Sequence, residues 1–346
     1  MTIPKQPFNI LDVTIRDGSY LINHQYRPDQ VAQICAGLYQ SGIQWAEVSH
    51  GSGMGSELLG TPSFANDRQL LEAVKNKAPD LKLSVLITPH LQTISLIDEL
   101  HDYFELGRVG INIHQLSMAR PFLERLKKYN KLSSVQLIRA HARNPDFVAH
   151  TTKRAELMGA DILYLVDTYG SFTTSEVILY LEAMKANIKN AQLGFHGHNN
   201  LGLADENALA AVQTGAQWID ASLLGVGRGA GNTCLENLIT ALQAQNYFKE
   251  IPCDQLKQIS KDIILPIFKK PPKASTVDQL GAKYKVDYAP ESHFIKLAEF
   301  LGLDVEGLMK EFRLDPEFVD FNFYHLKRIT EKYGKNFDEA IKLLQK

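Results

Sequence analysis

Residues 162–167 read ILYLVD and residues 192–198 read QLGFHGH, and each short apolar run ends in a charged or metal-ligating side chain. The run 163–166 is apolar on both faces of an extended chain, which is typical of a strand buried inside a parallel sheet. Similar runs recur along the chain and alternate with amphipathic segments of helical length. This alternation predicts an α/β fold built on a parallel sheet.

Eight runs of this kind predict eight strands. They cover residues 9–17, 45–50, 82–88, 109–114, 135–141, 162–167, 192–198 and 218–224. Polar side chains lie at or just past the C-terminal end of nearly every run, namely Asp17, His50, His90, His114, His141, Asp167 and His198. In a closed barrel these ends converge on one mouth, whereas in an open doubly wound sheet only those beside the switch point would meet. The span is close to the ~250 residues of a typical (β/α)8 barrel. We therefore predict a (β/α)8 TIM barrel over residues 1–247.

After Tyr247 the chain loses its strand pattern, and prolines at 266, 271 and 272 interrupt a helical stretch. From Ser292 onward the periodicity predicts only helices, since apolar residues recur with helical spacing. We place them at 293–301, 305–312, part of 316–333, and 337–344. The prediction is a second, mostly helical C-terminal domain over residues 248–346.

Composition narrows the class of protein. The 346 residues carry 37 basic and 39 acidic side chains, a formal net charge of -2, which favours neither nucleic acid nor an anionic membrane as a partner. Three cysteines without paired spacing suggest a reducing compartment rather than a disulfide scaffold. No apolar run approaches the ~18 residues of a membrane span, and residues 1–7 lack the apolar stretch of a signal peptide. We expect a soluble, cytoplasmic protein.

His196, His198 and Asp17 are the candidate metal ligands. Alternate residues on a strand point to one face, so both imidazoles can reach a single ion, although two such histidines can also make unrelated hydrogen bonds. Asp17 at a strand end can likewise cap the next turn. Ideal alternation sends Arg16 and Asp17 to opposite sides, so both enter a barrel mouth only if the strand ends there, which Gly18 permits. One carboxylate and two imidazoles would leave positions open for substrate.

Two further features admit a functional and a structural interpretation. Glu47 lies inside an apolar strand, where a carboxylate is costly unless paired. It is either a partner of Arg16 or of a metal-bound water, or a structural ion pair. The loop 225–232 has four glycines in seven residues, so its backbone either approaches a ligand or metal site closely or is only a flexible connection. Its glycine spacing and late position disfavour a dinucleotide fingerprint.

Four stretches together resemble a known family. They are residues 11–18 (LDVTIRDG), 46–51 (AEVSHG), 166–170 (VDTYG) and the long run 194–236, which begins GFHGHNNLG and contains GVGRGAGN. They resemble the metal-dependent carbon–carbon bond enzymes that include 4-hydroxy-2-oxovalerate aldolase, hydroxymethylglutaryl-CoA lyase, and isopropylmalate and homocitrate synthases. The likeness covers about the first 240 residues. Within the family, the 4-hydroxy-2-oxovalerate aldolases are the most similar, through RDGSYLINHQY, AEVSHGSG and DASL.

The resemblance implies a ligand set and a reaction. Asp17, His196 and His198 would bind a divalent ion, with Mn²⁺ as first choice and Mg²⁺ or Co²⁺ as alternatives. Arg16 would stabilise the enolate of a 2-keto acid. Further expected roles concern the substrate: Glu47 in catalysis, and His50, Thr168 and Asn232 in binding it. The predicted function is aldol cleavage or formation of a 4-hydroxy-2-keto acid. The alternatives are acyl-CoA condensation with a 2-keto acid and a non-catalytic partner-binding relative.

The chain also departs from the aldolase pattern. Where those enzymes carry a catalytic acid/base histidine after R-D-G-S, this chain has Tyr20, which is the positional candidate for the role. His24, His50 and a metal-bound hydroxide are the alternatives. The aldolases' second-domain tyrosine has no clear counterpart, and Tyr288 or Glu291 would fill its space. The resemblance further implies an aldehyde product, an acetaldehyde dehydrogenase partner bound through the helical domain, and a homo-oligomer.

Overall fold

The structure is a computed structural model that describes residues 8–89, 91–286, 291–314 and 322–344. Eight parallel strands pair in chain order and close into a barrel, since β8 also pairs with β1. The strands are β1 (Asn9–Asp12), β2 (Trp45–Glu47), β3 (Lys82–Ile87), β4 (Leu106–Asn112), β5 (Leu132–Ile138), β6 (Ile162–Asp167), β7 (Gln192–Gly197) and β8 (Trp218–Ala221). The predicted TIM barrel is confirmed.

A one-turn helix, α1 (Thr14–Gly18), follows β1, and one outer helix then follows each strand. The outer helices are α2 (Pro28–Gln40), α3 (Asp67–Lys77), α4 (Leu91–Leu100), α5 (Arg120–Lys128), α6 (Pro145–Leu157), α7 (Thr174–Lys185), α8 (Ala204–Thr214) and α9 (Leu235–Gln243). Helix α7 begins as its sequence predicts: the Thr173 hydroxyl accepts from the Glu176 amide, and the Glu176 carboxylate accepts from the Thr173 amide.

The C-terminal part is helical, as predicted. Helix α10 (Cys253–Ile259) runs through a π-helical turn (Ser260–Ile264) into α11 (Leu265–Phe268). Five more helices follow: α12 (Thr276–Tyr284), α13 (Glu291–Leu301), α14 (Val305–Arg313), α15 (Phe323–Lys332) and α16 (Phe337–Leu344). None of the helices in the described ranges is both long and apolar enough to cross a bilayer.

Two hydrophobic cores divide the chain. Ile251, Leu256, Ile259 and Ile264 pack within the barrel's core, whereas the second core begins at Val277. The domain boundary after residue 247 stays a prediction, and this packing favours a later position between Ile264 and Val277. The second core also includes Tyr169, which follows β6, so the barrel mouth and the helical domain share a packed contact.

Several strands end earlier than predicted, and β1 is the most informative case. β1 ends at Asp12, five residues before the predicted end at Asp17. The Asp12 carboxylate accepts from the Thr14 amide at 3.0 Å and from the Thr14 hydroxyl at 2.8 Å. These local bonds turn the chain out of the sheet and start helix α1. As a result Arg16 and Asp17 lie on a helical turn at the mouth.

The barrel interior is filled in layers contributed by alternate strands. One layer is apolar and comes from the even-numbered strands: Trp45, Leu106, Ile162 and Trp218. Two residues further along the same strands lies a second, polar layer: Glu47, Arg108, Tyr164 and Asp220. All four of these polar side chains are at most 1% exposed. The polar layer therefore separates the apolar floor of the barrel from its mouth.

Candidate metal centre

Asp17, His196 and His198 converge at the C-terminal mouth of the barrel. The Nε2 atoms of the two imidazoles are 3.4 Å apart, and they lie 3.6 Å and 3.8 Å from Asp17 Oδ2 for His196 and His198 respectively. All three side chains are buried. Ligands about 2.0–2.2 Å from one ion lie within such mutual distances. The geometry thus brings together the three ligands that the sequence places nearly 180 residues apart.

The second nitrogen of each imidazole has its own partner. His196 Nδ1 lies 2.9 Å from Asp220 Oδ2, and His198 Nδ1 lies 3.3 Å from the Gly231 carbonyl oxygen. A proton on each Nδ1 would leave both Nε2 lone pairs directed at the shared site. Burial lowers the pKa of His198 to about 4, against the opposing charge of Asp17. A neutral imidazole is the form that binds a metal.

The Asp17 carboxylate is ionised. Burial by itself raises its pKa, but the Arg16 guanidinium, the two imidazoles and a hydrogen bond from Asn232 together outweigh burial, so the pKa is held below its ordinary value. Asp17 Oδ2 is buried and has no hydrogen-bond partner among the described residues. An ionised, buried oxygen without a partner is costly unless a cation meets it. This oxygen and the two directed imidazoles fit a divalent ion.

Arg16 stands beside this centre. Its Nη1 lies 3.1 Å from Asp17 Oδ1, and its Nε donates to Glu47 Oε2 at 2.6 Å. Burial lowers the pKa of Arg16. The charges of Glu47 and Asp17 together raise it by more than burial lowers it, so the net shift is upward and the side chain stays cationic. The side chain also lines the cavity at the mouth, so its charge faces any molecule bound there.

A cavity of about 160 Å³ opens above the ligands. Its polar lining includes the predicted site residues Arg16, Asp17, Tyr20, Thr168, His196 and His198. The Tyr20 hydroxyl donates to Ser52 Oγ at 3.4 Å, and Thr168 Oγ1 accepts from the Arg139 amide at 2.8 Å. Tyr20 and Thr168 are therefore placed to contact a bound substrate. Their roles stay predictions.

Three predicted site residues do not line the cavity. Asn232 is buried, donates to the Val226 carbonyl at 3.0 Å and pairs with His198 in a short β-bridge. His50 is buried next to His24, with ring centroids 4.1 Å apart, and burial together with His24 lowers its pKa to about 4. Glu47 is fully buried beneath Arg16. Direct substrate contact by these three stays untested, and Glu47 and Asn232 are better placed to hold neighbouring residues.

Some other polar residues at strand ends stabilise the fold and do not line the cavity. Asp167 accepts from the Ser171 amide at 2.8 Å and the Phe172 amide at 3.1 Å, which fixes the turn after β6. His141 packs edge-on against Tyr169, with ring centroids 5.4 Å apart. His90 and Tyr288 lie outside the described residues. The expectation that nearly every polar strand end reaches the site was too broad, because a parallel strand also needs polar groups to turn the chain.

Sequence reasoning missed Arg108, Asp220 and Arg228. Arg108 and Arg228 line the cavity, and Asp220 holds His196. The signal was available for Asp220, which is a charged residue inside a predicted apolar strand, like Glu47. Arg108 lies just before the predicted start of its strand at residue 109. The cost of burying a charge unpaired inside a strand applies to Glu47 and Asp220 alike. Arg228 sits in the glycine-rich loop, where nothing in the local pattern marks its direction.

Comparisons with known proteins agree with this geometry. The HMGL-like family matches residues 7–263. The oxaloacetate decarboxylase of Mycobacterium tuberculosis is 32% identical over 305 residues, which cover 87% of this chain and 90% of that protein. A 4-hydroxy-2-oxovalerate aldolase of Geobacillus genomosp. 3 is 34% identical over 271 residues, which cover 78% and 80% respectively.

Among solved structures, the carboxyl transferase domain of Rhizobium etli pyruvate carboxylase with pyruvate and biocytin superimposes with a TM-score of 0.76. The match covers 97% of this chain and 62% of that chain at 16% identity. At so low an identity the likeness bears on the fold alone.

Proposed function

This chain belongs to the HMGL-like family, and we propose that it cleaves or forms the C3–C4 bond of a 4-hydroxy-2-keto acid through a pyruvate enolate. The observation that carries the proposal is the convergence of Asp17, His196 and His198 beside the Arg16 guanidinium at the floor of one cavity. That arrangement suits a 2-keto acid, which offers a carboxylate and a keto oxygen to a cation.

The broader reaction class is supported by the family match and by the relatives. The chain is a metal-dependent carbon–carbon lyase, because its family match spans most of the barrel and its relatives bear the names of aldolases and a decarboxylase. The alternative of a non-catalytic relative is set aside by the same relatives and by the converging ligand set. We propose Mn²⁺ as the ion.

The chain's own residues account for the remaining chemistry. When bound, the ion supplies Lewis-acid polarisation of the keto group. Arg16 holds a permanent positive charge where the enolate oxygen develops. Tyr20 in its phenolate form takes the proton from the 4-hydroxyl as the C3–C4 bond breaks. The bonding pair becomes the enolate of pyruvate, and Tyr20 then returns that proton to C3 to give pyruvate and an aldehyde. Thr168 orients the substrate from the opposite side of the cavity.

A second candidate is decarboxylation of a 2-keto diacid such as oxaloacetate. Loss of CO₂ breaks the same C3–C4 bond and leaves the same pyruvate enolate, but no hydroxyl proton has to be removed. The observation that favours it is Tyr20, because its hydroxyl donates to Ser52 Oγ, and a phenol that keeps this proton cannot accept the proton of the 4-hydroxyl. Arg228 also lines the cavity, and its guanidinium could meet the second carboxylate.

A substrate panel tests the proposal. Metal-free protein is supplied with Mn²⁺ and incubated separately with 4-hydroxy-2-keto acids, with oxaloacetate, and with acyl-CoA plus a keto acid. Pyruvate with an aldehyde supports the aldolase. Pyruvate with CO₂ above the metal-only background supports the decarboxylase, and free thiol from acyl-CoA supports the condensation.

The variant that tests the ligand set is Asp17→Asn, which keeps the side-chain volume but removes the charge. We expect it to fold, to lose Mn²⁺ affinity and to lose turnover on the preferred substrate by a factor of at least about 10². A variant that retains wild-type metal affinity and turnover would show that the ligand set is wrong.

Other aspects of the family resemblance stay predictions. Binding of an aldehyde dehydrogenase through the helical domain, a homo-oligomeric assembly and a cytoplasmic location are not decided by the geometry of the barrel mouth. The role of Glu291, the first residue of α13, is likewise a prediction.

A further inference from the structure

Glu47, Arg108, Tyr164 and Asp220 form a polar layer directly beneath the metal centre, whereas bulky branched side chains dominate such layers in barrels of this type. The layer two residues below it is apolar, with Trp45 and Trp218 in edge-on contact at 5.0 Å between centroids. The apolar lower layer already fills the barrel core, so packing does not require charged side chains in the layer above it. Their contacts indicate a different role.

The contacts form one chain across the barrel. Arg16 Nε donates to Glu47 Oε2 at 2.6 Å, and Glu47 Oε1 lies 2.9 Å from Arg108 Nη1. The other end of the Arg108 guanidinium, Nη2, donates to Asp220 Oδ2. The same Asp220 oxygen lies 2.9 Å from His196 Nδ1. Arg108 is the residue in the middle, and the two carboxylates on its sides lead to opposite halves of the metal centre.

The environment of Arg108 holds it in place. Its side chain is 1% exposed, its guanidinium lies over the Tyr164 ring at 4.6 Å, and Nη2 also donates to Gln136 Oε1 at 3.2 Å. A planar fork that spans two carboxylates is a geometry that lysine cannot reproduce. This network of ion pairs contains three carboxylates and two guanidiniums, from Asp17, Glu47, Asp220, Arg16 and Arg108. It therefore has one net negative charge, which a bound cation would balance.

We propose that Arg108 is a positioning residue that joins the two halves of the metal centre, with Asp220 holding His196 in the tautomer that presents Nε2 to the ion. The inference rests on the proposed metal dependence. A metal-ligating histidine commonly donates its other ring N–H to a carboxylate, and loss of that carboxylate typically weakens metal binding 10- to 100-fold. Arg108 holds the Asp220 carboxylate in place, and through Glu47 it also holds Arg16 in place.

The test measures Mn²⁺ binding to metal-free protein by titration calorimetry, with no substrate present. We expect Asp220→Asn and Arg108→Lys to weaken Mn²⁺ affinity by about 10- to 100-fold. The matched control is Leu106→Val in the apolar layer below, which changes the buried barrel interior without removing a polar group and is expected to change the affinity less than about threefold.

Because Arg108→Lys could destabilise the buried layer, a triple variant separates folding from positioning. Glu47→Gln, Arg108→Met and Asp220→Asn together remove all three buried charges, and such replacements often leave stability intact. We expect the metal-free triple variant to unfold at close to the wild-type temperature and still to bind Mn²⁺ at least tenfold more weakly.

The outcomes distinguish this inference from the proposed function. Wild-type Mn²⁺ affinity in the triple variant and in Asp220→Asn would overturn the positioning role while leaving the metal site standing. Failure of the wild-type protein itself to bind Mn²⁺ would remove the proposed metal dependence and this inference with it.

Discussion

At the scale of single residues, Tyr20 is the cavity-lining side chain on which the two proposed reactions differ. Its ring lies edge-on to His24 with centroids 5.0 Å apart, and its hydroxyl reaches Ser52 at the cavity wall. No other described residue that lines the cavity is a titratable group outside the proposed ligand set and the arginines. Tyr20 therefore stays our proposed acid/base group for an aldolase reaction.

Replacing Tyr20 with Phe tests that role. If Tyr20 moves the 4-hydroxyl proton, aldol cleavage should fall by about 10²- to 10⁴-fold, because this is the usual contribution of a general base. Decarboxylation of oxaloacetate involves no such proton and should change much less. Both rates are measured as pyruvate release at saturating Mn²⁺, with Ser52→Ala as the control. Unchanged aldol cleavage in Tyr20→Phe would eliminate the residue from the mechanism.

At the scale of elements, the glycine-rich loop after β8 is part of the metal centre. The Gly231 carbonyl faces His198 Nδ1 and accepts from the Asn199 amide at 2.9 Å. Gly231 has φ +87°, and a Cβ there would lie 1.9 Å from the Gly225 carbonyl oxygen. This crowding explains why the loop needs glycine at that position, and it supports the interpretation of a close approach to the metal site.

Gly231→Ala should therefore move the loop. We expect it to destabilise the protein by more than the ~1 kcal/mol of a left-handed residue alone, and to weaken Mn²⁺ binding by displacing His198. The control is Gly202→Ala, since Gly202 has φ +75° but a methyl group added there would meet nothing within 4 Å. Urea unfolding and Mn²⁺ titration of both variants give the comparison. Equal effects of the two substitutions would contradict the steric argument.

The first residue of α3, Asp67, is a buried carboxylate that predicts a pH dependence of stability. Asp67 accepts from the His50 amide at 2.6 Å and from the Gly55 amide at 2.7 Å. Burial, followed by the charge of Glu57, raises its pKa to about 7. An unfolded Asp loses its proton near pH 4, so between about pH 4 and 7 the native state binds more protons, and this group's contribution to stability falls as pH rises.

Asp67→Asn removes that titration. We expect the free energy of unfolding of the wild type, relative to the variant, to decrease as pH rises from about 4 to about 7 and then to level off. Urea unfolding at several pH values measures it, with Asp80→Asn as a control. A difference that grows as pH rises would contradict the raised pKa.

At the scale of the whole molecule, Tyr169 ties the barrel to the helical domain. It is 1% exposed, it belongs to the second core, and the Arg228 guanidinium lies 5.5 Å from its ring centroid. A hydrogen bond from Lys285 in the helical domain to Glu176 on α7 adds a second link. Arg228, which lines the cavity, therefore contacts a residue of the domain contact.

Tyr169→Ala should loosen this contact. We expect a loss of roughly 3–5 kcal/mol, as for other buried aromatic truncations, and calorimetry should show the helical domain unfolding before the barrel. Tyr169→Phe keeps the ring and should stay close to wild type. A single, unshifted transition in Tyr169→Ala would show that the two cores do not depend on this residue.

Much of the fold followed from local pattern. The order of strands and helices, the N-cap at Thr173 and the helices of the C-terminal domain were predictable because periodicity and capping act over a few neighbouring residues. The ligand types were predictable too, since Asp17, His196 and His198 are residue types that bind metals. Strand ends were less predictable, because a bond such as Asp12 to Thr14 can stop a strand early.

What only the tertiary structure decided is which charges meet. Arg108 and Asp220 are 112 residues apart in the chain, and no local pattern pairs them. Closure of the barrel brings alternate strands to one interior layer, and a charge buried there must find an opposite charge. The sequence by itself determined the barrel and pointed to the candidate ligands, whereas the closed geometry determined which residues hold those side chains in place.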